Sequence, residues 1–327
     1  MKISYQFVNK RRIVIALTLL MAFHLSCQPQ QDKKTVWTVA WSPNGKYIAA
    51  GGDQDELQLF DASTLELIKT YPVQNVQLSR LKWHPFKNIL AIVTQSTTIK
   101  ARILDLDKET WTDLQGLKSS FRALDWNHSG DLLAVSELED AVSVYTVDGV
   151  LVSRFLADPK GVADLDWHPS KDIMVTVGAQ IGIYTQKGDT IKTFEPRTEE
   201  TFLLCVEWHE SGDFFVVGDY GDLKNATNKL LQFWNMEGVK RNEITGSIGE
   251  YRNIRWSPDG EKLASASDAL RIWSKEGKLL AESKSTKDYL WGVDWSPDGK
   301  FVVTSSSEGK IVIWDENAHI SQKLDKK

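Results

Sequence analysis

The sequence predicts an all-β fold, a seven-bladed β-propeller of four-stranded blades, on three observations. A tryptophan recurs along the 327-residue chain at spacings of 42, 43, 41, 41, 48 and 39 residues. Each of these repeat tryptophans opens a turn phrase that leads into an apolar run. A second strand ends in an aromatic residue or leucine 17 to 26 residues after the tryptophan. Periods near 40 residues with about four short strands each are typical of propeller blades.

The repeat tryptophans mark the innermost strand of each blade. A valine, leucine or isoleucine stands two positions before every one of them. With a period of two, this residue and the tryptophan share one face of a strand. The repeat tryptophans are Trp41, Trp83, Trp126, Trp167, Trp208, Trp256 and Trp295.

A turn follows each repeat tryptophan. Blades 1, 6 and 7 read "WSPNG" or "WSPDG", where proline fixes φ and glycine permits a positive φ. In three other blades a histidine follows the tryptophan: His84, His168 and His209. Because serine or asparagine takes the same position elsewhere, we interpret these histidines as turn residues that bond nearby backbone. The alternative is a metal site, but only His168 and His209 lie on adjacent blades, and zinc needs three or four converging ligands.

Stacking of neighbouring blades around a ring buries both faces of every sheet. The chain reaches its first inner strand near residue 35 and its last outer strand near residue 324. We therefore predict that residues 35–324 form the propeller. We also predict that blade 7 packs on blade 1 without exchange of a strand.

The repeats resemble those of the WD40 repeat family over residues 35–324. The pairs that carry the family's Trp-Asp dipeptide or close relatives of it are Trp314-Asp315, Phe60-Asp61, Trp234-Asn235 and Trp273-Ser274. The family's Gly-His pair is missing from every blade, so its buried His–Asp network is not carried over. "WSPDG" phrases also occur in the propeller of the bacterial Tol system. The resemblance implies a non-catalytic scaffold that binds a protein or peptide on its top face, where the inner strands begin.

Residues 1–26 predict a signal peptide of the lipoprotein type that is removed. Four basic residues precede the uncharged run 13–23, which is too short to span a bilayer. The following "FHLSC" resembles the lipobox of bacterial lipoproteins, in which a small residue precedes the acylated cysteine, here Cys27. Residues 27–34 then form a polar tether to an exported, lipid-anchored propeller in the bacterial cell envelope. An uncleaved anchor and plain secretion are the alternatives.

Loss of residues 1–26 changes the formal net charge from −5 to −9. Such an acidic domain lacks the basic patch of a nucleic-acid-binding protein, so we expect no nucleic-acid partner and membrane contact only through the N-terminal lipid. Gln28 after the cysteine favours an outer-membrane or periplasm-facing location. The sequence has no HExxH, CxxC, GxSxG or phosphate-binding glycine loop, so we expect a monomeric propeller that is no enzyme and has no cofactor or metal.

The chain has two cysteines, Cys27 and Cys205. Acylation of the first leaves the second without a disulfide partner. Cys205 lies in the apolar strand "FLLCVEW", so we expect a small buried hydrophobic residue.

A second series of residues, one position before the repeat tryptophan, is charged in six of seven blades. These residues face opposite to the core residues of the inner strand, which predicts a polar ring around the central channel. Mutual charge compensation in a hydrated channel is one interpretation. The alternative function is a small-ligand or cation-binding, or enzymatic, propeller that uses the acidic arc. The ring residues are Lys82, Asp125, Asp166, Glu207, Arg255 and Asp294.

Large side chains gather where inner strands begin. Trp37, Arg122, Arg252 and Trp291 stand four positions before repeat tryptophans. Blades 6, 7 and 1 are contiguous in a closed ring, and Trp, Tyr and Arg are enriched in binding hot spots. Blade 5 adds about six residues in a loop of the top face, a second candidate contact. The predicted partner-binding residues are Trp37, Tyr251, Arg252, Tyr289, Trp291 and Tyr220; the alternative is that the aromatic residues only fill the spaces between blades.

Overall fold

The computed structural model describes residues 34–73, 77–94, 101–118, 122–137, 140–197, 200–222, 229–284 and 288–324. The predicted signal peptide, Cys27 and most of the predicted tether lie outside these residues. The described chain is all-β and forms seven four-stranded antiparallel sheets arranged as the blades of a ring. The predicted seven-bladed β-propeller is therefore confirmed. Within these same residues, no helix is long and apolar enough to cross a membrane.

Each blade is a meander whose first strand lies innermost. Blade 1 contains β1 (Val36–Trp41), β2 (Tyr47–Gly52), β3 (Glu56–Asp61) and β4 (Leu67–Pro72). Blade 2 contains β5 (Leu78–Trp83), β6 (Ile89–Thr94), β7 (Ala101–Asp105) and β8 (Thr110–Asp113). Blade 3 contains β9 (Leu124–Trp126), β10 (Leu132–Ser136), β11 (Ala141–Thr146) and β12 (Leu151–Leu156). Blade 4 contains β13 (Val162–Trp167), β14 (Ile173–Gly178), β15 (Ile181–Thr185) and β16 (Thr190–Phe194).

The remaining three blades repeat this order. Blade 5 contains β17 (Leu203–Trp208), β18 (Phe215–Asp219), β19 (Leu231–Trp234) and β20 (Lys240–Ile244). Blade 6 contains β21 (Asn253–Trp256), β22 (Lys262–Ala266), β23 (Leu270–Ser274) and β24 (Leu279–Glu282). Blade 7 contains β25 (Leu290–Trp295), β26 (Phe301–Ser306), β27 (Ile311–Asp315) and β28 (Ile320–Leu324).

The core lies in the seams, the interfaces between neighbouring blades. The second and third strands are buried on both faces, whereas the outer strands are mostly exposed. Seven apolar clusters of the described residues each combine side chains of two neighbouring blades. This arrangement is the expected one, because a single sheet cannot bury both of its faces alone. Cys205 is fully buried in one of these clusters, as predicted.

The ring closes by packing of blade 7 on blade 1. Val39 and Ile48 of blade 1 share an apolar cluster with Val303 and Ile313 of blade 7. All four strands of blade 7 come from its own repeat, and β28 is the outermost one. Closure without strand exchange, as predicted, therefore holds for the residues that the structure describes.

A β-bulge lies at the start of the inner strand in five blades. The pairing of the first and second strands shifts register there in blades 1, 2, 4, 5 and 7. A bulge redirects side chains out of the regular alternation of a strand. In these five blades the residue four positions before the repeat tryptophan lies at this irregularity, and in blades 3 and 6 the residues at that position, Arg122 and Arg252, come before the first residue of the inner strand. We call these seven residues the channel mouth: Trp37, Ser79, Arg122, Ala163, Leu204, Arg252 and Trp291.

Candidate functional site

The predicted polar ring lies along the channel, and its acids bond to neighbouring blades. Each of the four acids accepts a hydrogen bond from the backbone N–H of the repeat tryptophan in the following blade. The N···O distances are 3.1 Å for Asp125, 2.7 Å for Asp166, 3.0 Å for Glu207 and 2.7 Å for Asp294. These carboxylates therefore tie four of the seven seams together.

The two cations of the ring pair with three of its acids. Lys82 Nζ lies 3.1 Å from Asp125 Oδ1. Arg255 bridges two acids, with Nη1 3.0 Å from Glu207 Oε1 and Nε 3.2 Å from Asp294 Oδ1. Asp166 forms no ion pair among the described residues. The ring thus contains the ion pairs between acids and cations that the sequence suggested, and Asp166 is its acid without such a pair among the described residues.

Burial governs the protonation of the ring. It raises the pKa of Asp166 well above the usual range of an aspartate, and the nearby charge of Asp125 raises it further. Burial also raises the pKa of Glu207 to about 7, although Arg255 opposes that shift. For Arg255, Glu207 and Asp294 outweigh burial and raise the pKa. Burial raises the pKa of Asp294 as well, so three ring carboxyls are held closer to neutrality than exposed carboxyls are.

The carboxylates of the ring do not converge on a common point. In the part of the chain that the structure describes, no three His, Cys, Asp or Glu side chains are grouped closely enough to hold a metal ion. The ring acids are instead directed toward backbone N–H groups and cations of neighbouring blades. The geometry gives the alternative of a cation held at the acidic arc no support.

The three histidines that follow repeat tryptophans are turn residues, as interpreted from the sequence. In His84, His168 and His209, Nδ1 accepts a hydrogen bond from the backbone N–H two residues later, at 3.0 to 3.2 Å. Each ring also packs on the repeat tryptophan of the next blade, with centroids 4.8 to 5.1 Å apart. Gly212, at φ 71°, makes room for His168, because a Cβ there would lie 2.5 Å from the imidazole. The sequence of one repeat did not predict that these histidines also contact the tryptophan of the following blade.

The aromatic residues of the channel mouth meet where blades 6, 7 and 1 join. The rings of Trp37 and Trp291 lie 4.5 Å apart between centroids. The guanidinium of Arg252 lies over the Trp291 ring, 3.6 Å from its centroid. Trp37 Nε1 donates to Asp53 Oδ1 at 2.7 Å, and Arg252 pairs with Glu250. We call Trp37, Trp291 and Arg252 the mouth stack.

The other predicted partner-binding residues differ in exposure. Tyr289 is 41% exposed, and Tyr220 is half-buried. Both lie near enough to Arg252 for their hydroxyl groups to affect its pKa, which burial lowers overall. The structure therefore places Tyr220 and Tyr289 beside the mouth stack, and partner binding by this surface stays a prediction.

The prediction was wrong for Tyr251. Its side chain is completely buried in the seam between blades 5 and 6, so it is not available to a partner. Its Cβ packs against the backbone of Gly218, where an added Cβ would lie 2.7 Å away. Arg252 is also largely buried, at 9% exposure.

A buried aspartate anchors the long loop of blade 5. Asp219 Oδ1 accepts backbone hydrogen bonds from Gly221 at 3.0 Å and Leu230 at 2.8 Å. Arg197 Nη1 pairs with its other oxygen at 2.9 Å. Residues 223–228, the centre of the loop, lie outside the described residues. The anchor holds both ends of this loop beside Tyr220.

Three family models match the chain. Residues 7–86 match the anaphase-promoting complex subunit 4 WD40 domain, and residues 275–315 match the WD domain, G-beta repeat. Residues 118–293, more than half of the chain, match eukaryotic translation initiation factor eIF2A. The chain belongs to the WD40 repeat family. The WD40 propeller thus contains seven repeats, of which the one around Trp314-Asp315 is closest to the family pattern.

Three curated relatives of this WD40 propeller come from eukaryotes. Anaphase-promoting complex subunit cdc20 of Dictyostelium discoideum is 23% identical over 73% of this chain and 48% of its own length. Cell division cycle 20.1, cofactor of APC complex, of Arabidopsis thaliana is 23% identical over 72% of this chain and 53% of its own. WD repeat-containing protein srw1 of Schizosaccharomyces pombe is 22% identical over 72% and 43%. The chain spans about half the length of the curated relatives it matches.

Proposed function

We propose that this WD40 propeller is a non-catalytic scaffold that binds a protein or peptide segment on its top face, at the mouth stack. The observation that carries the proposal is the stacking of Trp37, Trp291 and Arg252 across three blades, with Tyr289 exposed beside them. Tryptophan, tyrosine and arginine dominate binding hot spots because they combine large apolar area with directed polar groups.

The mouth stack is held in place before any partner arrives. Asp53 fixes the indole N–H of Trp37, and Glu250 holds one end of the Arg252 guanidinium. Side chains that are already ordered lose little rotamer entropy on binding, which improves affinity for a given contact area. The relatives named as a subunit and a cofactor of the anaphase-promoting complex support a role in assemblies for this fold.

Site-specific photo-crosslinking in cells tests the proposal. A photoreactive phenylalanine analogue at position 289 should crosslink to a partner protein. The matched control is position 86, where Phe86 is 71% exposed in the turn that follows the repeat tryptophan of blade 2, at the other end of the channel. Combined substitution Trp37→Ala and Trp291→Ala should remove the crosslink from position 289. Equal crosslinking from both positions, or persistence in the double variant, contradicts top-face binding.

We further propose that the propeller is exported and held to a bacterial cell envelope by lipid on Cys27. The support is the sequence of residues 1–27, with its basic start, short apolar run and "FHLSC". Metabolic labelling with a radioactive fatty acid should label the wild-type chain and not Cys27→Ser. Equal labelling of the two chains, or recovery of unlabelled wild-type protein in the cytosol, contradicts lipid anchoring.

A further inference from the structure

Where a histidine follows the repeat tryptophan, its imidazole packs in the seam to the next blade. The ring of His168 lies against Trp208, and its Nε2 is 3.2 Å from the backbone oxygen of Gly212. Because Nδ1 accepts a hydrogen bond from its own turn, Nε2 carries the proton and donates to that oxygen. His209 makes the same contact with the backbone oxygen of Gly260, at 3.0 Å. These seams therefore each hold a planar ring with an N–H donor.

The closing seam, between blades 7 and 1, has a serine in the place of that histidine. The hydroxyl of Ser296 is used within its own turn, where it accepts from the N–H of Phe301 at 3.0 Å and donates to Asp298 Oδ1 at 2.6 Å. Gly45 takes the place of Gly212. A Cβ added at Gly45 would meet no atom of the described chain within 4 Å, whereas one added at Gly212 would lie 2.5 Å from an imidazole. The closing seam therefore leaves open the space that an imidazole fills elsewhere.

A serine alone does not produce this open space. Ser257 and Gly299 take the same two positions in the seam between blades 6 and 7. There, a Cβ added at Gly299 would lie 3.7 Å from Cδ of Pro258, an ordinary packing distance. The turn of blade 6 thus covers the glycine of blade 7, and the closing seam differs from its neighbour.

A cavity of about 510 Å³ occupies the closing seam. Buried Trp41 and Ile313 and half-buried Phe301 give it an apolar wall, and exposed Pro43 and Pro297 of the two turns border its opening to solvent. A cavity of about 150 Å³ is enough to hold benzene, so this one has room for a fused pair of rings. Its size and its apolar wall with a few polar groups are those of a small-molecule site.

The charge at the cavity favours a ligand that carries a hydrogen-bond donor. Of the described residues that line it, Asp298 alone is charged. Hydrogen bonds from Ser296 and from the backbone N–H of Lys300 lower the pKa of Asp298, so its carboxyl is ionised at neutral pH. Its ion pair with the Lys300 side chain, at 3.2 Å, is exposed to solvent and therefore weak. An anionic ligand meets a like charge here, whereas a neutral or cationic ring with an N–H does not.

We propose that the closing seam binds a small planar heteroaromatic molecule with an N–H donor, of the imidazole class with one ring or two fused rings. The ring packs on Trp41 and Phe301, and its N–H donates to the backbone oxygen of Gly45. This oxygen already accepts Trp41 Nε1 at 3.3 Å, and a carbonyl has a second lone pair for the ligand. Because no strand is exchanged between blades 7 and 1, the ligand joins the two blades and stabilises the closed ring by mass action. The site lies at the other end of the propeller from the mouth stack and goes beyond the proposed scaffold function.

The test uses the indole N–H signals of the full-length protein in nuclear magnetic resonance spectra, with benzimidazole as the probe. Titration should shift the signal of Trp41 in a saturable way. Trp208 is the internal control and should not shift, because His168 already fills its seam. The analogue 1-methylbenzimidazole lacks the N–H and should bind about tenfold more weakly. A shift that does not saturate, or that Trp208 shares, overturns the site, and equal binding of the two probes overturns the assignment of an N–H donor.

A histidine placed in the closing seam gives a second measurement. Ser296→His should fill the cavity as His168 fills its own seam, and should abolish the benzimidazole-dependent shift of Trp41. Ser257→His, the matched substitution in the seam between blades 6 and 7, should leave that shift unchanged. Binding that persists in Ser296→His, or that both variants lose equally, refutes the site. The wild-type titration needs no variant and decides the matter even if Ser296→His does not fold. Crosslinking from position 289 probes the opposite end of the propeller, so failure of either experiment leaves the other proposal intact.

Discussion

Arg252 and Arg255 stand three residues apart at the start of blade 6, yet their surroundings differ. Arg255, in the polar ring, lies between Glu207 and Asp294, which raise its pKa. Arg252, in the channel mouth, pairs with one acid, has two nitrogens without a hydrogen-bond partner among the described residues, and has a pKa that burial lowers. The charges therefore differ between two levels of the same channel, the polar ring and the channel mouth. Paired charges at the level of the ring hold blades together, whereas Arg252 at the mouth is ion-paired with a single acid and packs on Trp291.

The largest expected effect comes from removing the two arginines separately. Arg255→Met leaves Glu207 and Asp294 without their cation and should lower the free energy of unfolding by about 3 kcal/mol, because breaking a buried pair leaves an uncompensated charge. Arg252→Met leaves Glu250 without its cation and removes the contact with Trp291, but it also relieves two buried donors that have no partner among the described residues, so it should cost less, about 1 kcal/mol. Urea unfolding at pH 7 measures both. Equal losses in the two variants would contradict the division between ring and mouth.

A smaller effect, of opposite sign, is expected at Asp166. Its folded-state pKa is raised, so the folded protein binds a proton more readily than the unfolded chain, and stability falls as pH rises above the unfolded pKa near 3.8. Asp166→Asn keeps an oxygen for the N–H of Trp208 and removes the buried charge. We expect it to raise the free energy of unfolding at pH 7, because the variant has no carboxylate charge to bury.

The pH dependence supplies the control for that variant. At pH 3 the carboxyl is protonated in both states, so Asp166→Asn and wild type should unfold at the same urea concentration. Asp125→Asn is the matched substitution, and because it deprives Lys82 of its partner it should not stabilise the protein at pH 7. A stabilisation by Asp166→Asn that persists at pH 3 would show that its cause is not the buried charge.

The repeated pattern of the sequence was sufficient to predict the propeller but not its inter-blade bonds. The spacing of tryptophans such as Trp167 gives the length of the sequence repeat. Each repeat then forms one blade, because blades that stack around a ring bury both faces of every sheet. The hydrogen bond accepted by Asp166 could not be predicted from the sequence. Its donor is the backbone N–H of Trp208, about one repeat away, and every residue type except proline carries such a group. The sequence predicted an exposed Tyr251 because this residue is next to Arg252 in the chain. Its side chain instead turns into the seam between blades 5 and 6.

The smallest expected effect tests the turn histidines. His168→Ser keeps a side-chain acceptor for the turn, as the serines at this position in blades 1, 6 and 7 do. It removes the packing on Trp208 and the contact of Nε2 with Gly212 O at 3.2 Å. We therefore expect a loss of about 1 kcal/mol in the free energy of unfolding, the size of one hydrogen bond or aromatic contact. His128→Ser, at an exposed position, should change stability less. A loss of several kcal/mol from His168→Ser would mean that the imidazole does more than close a turn and fill a seam.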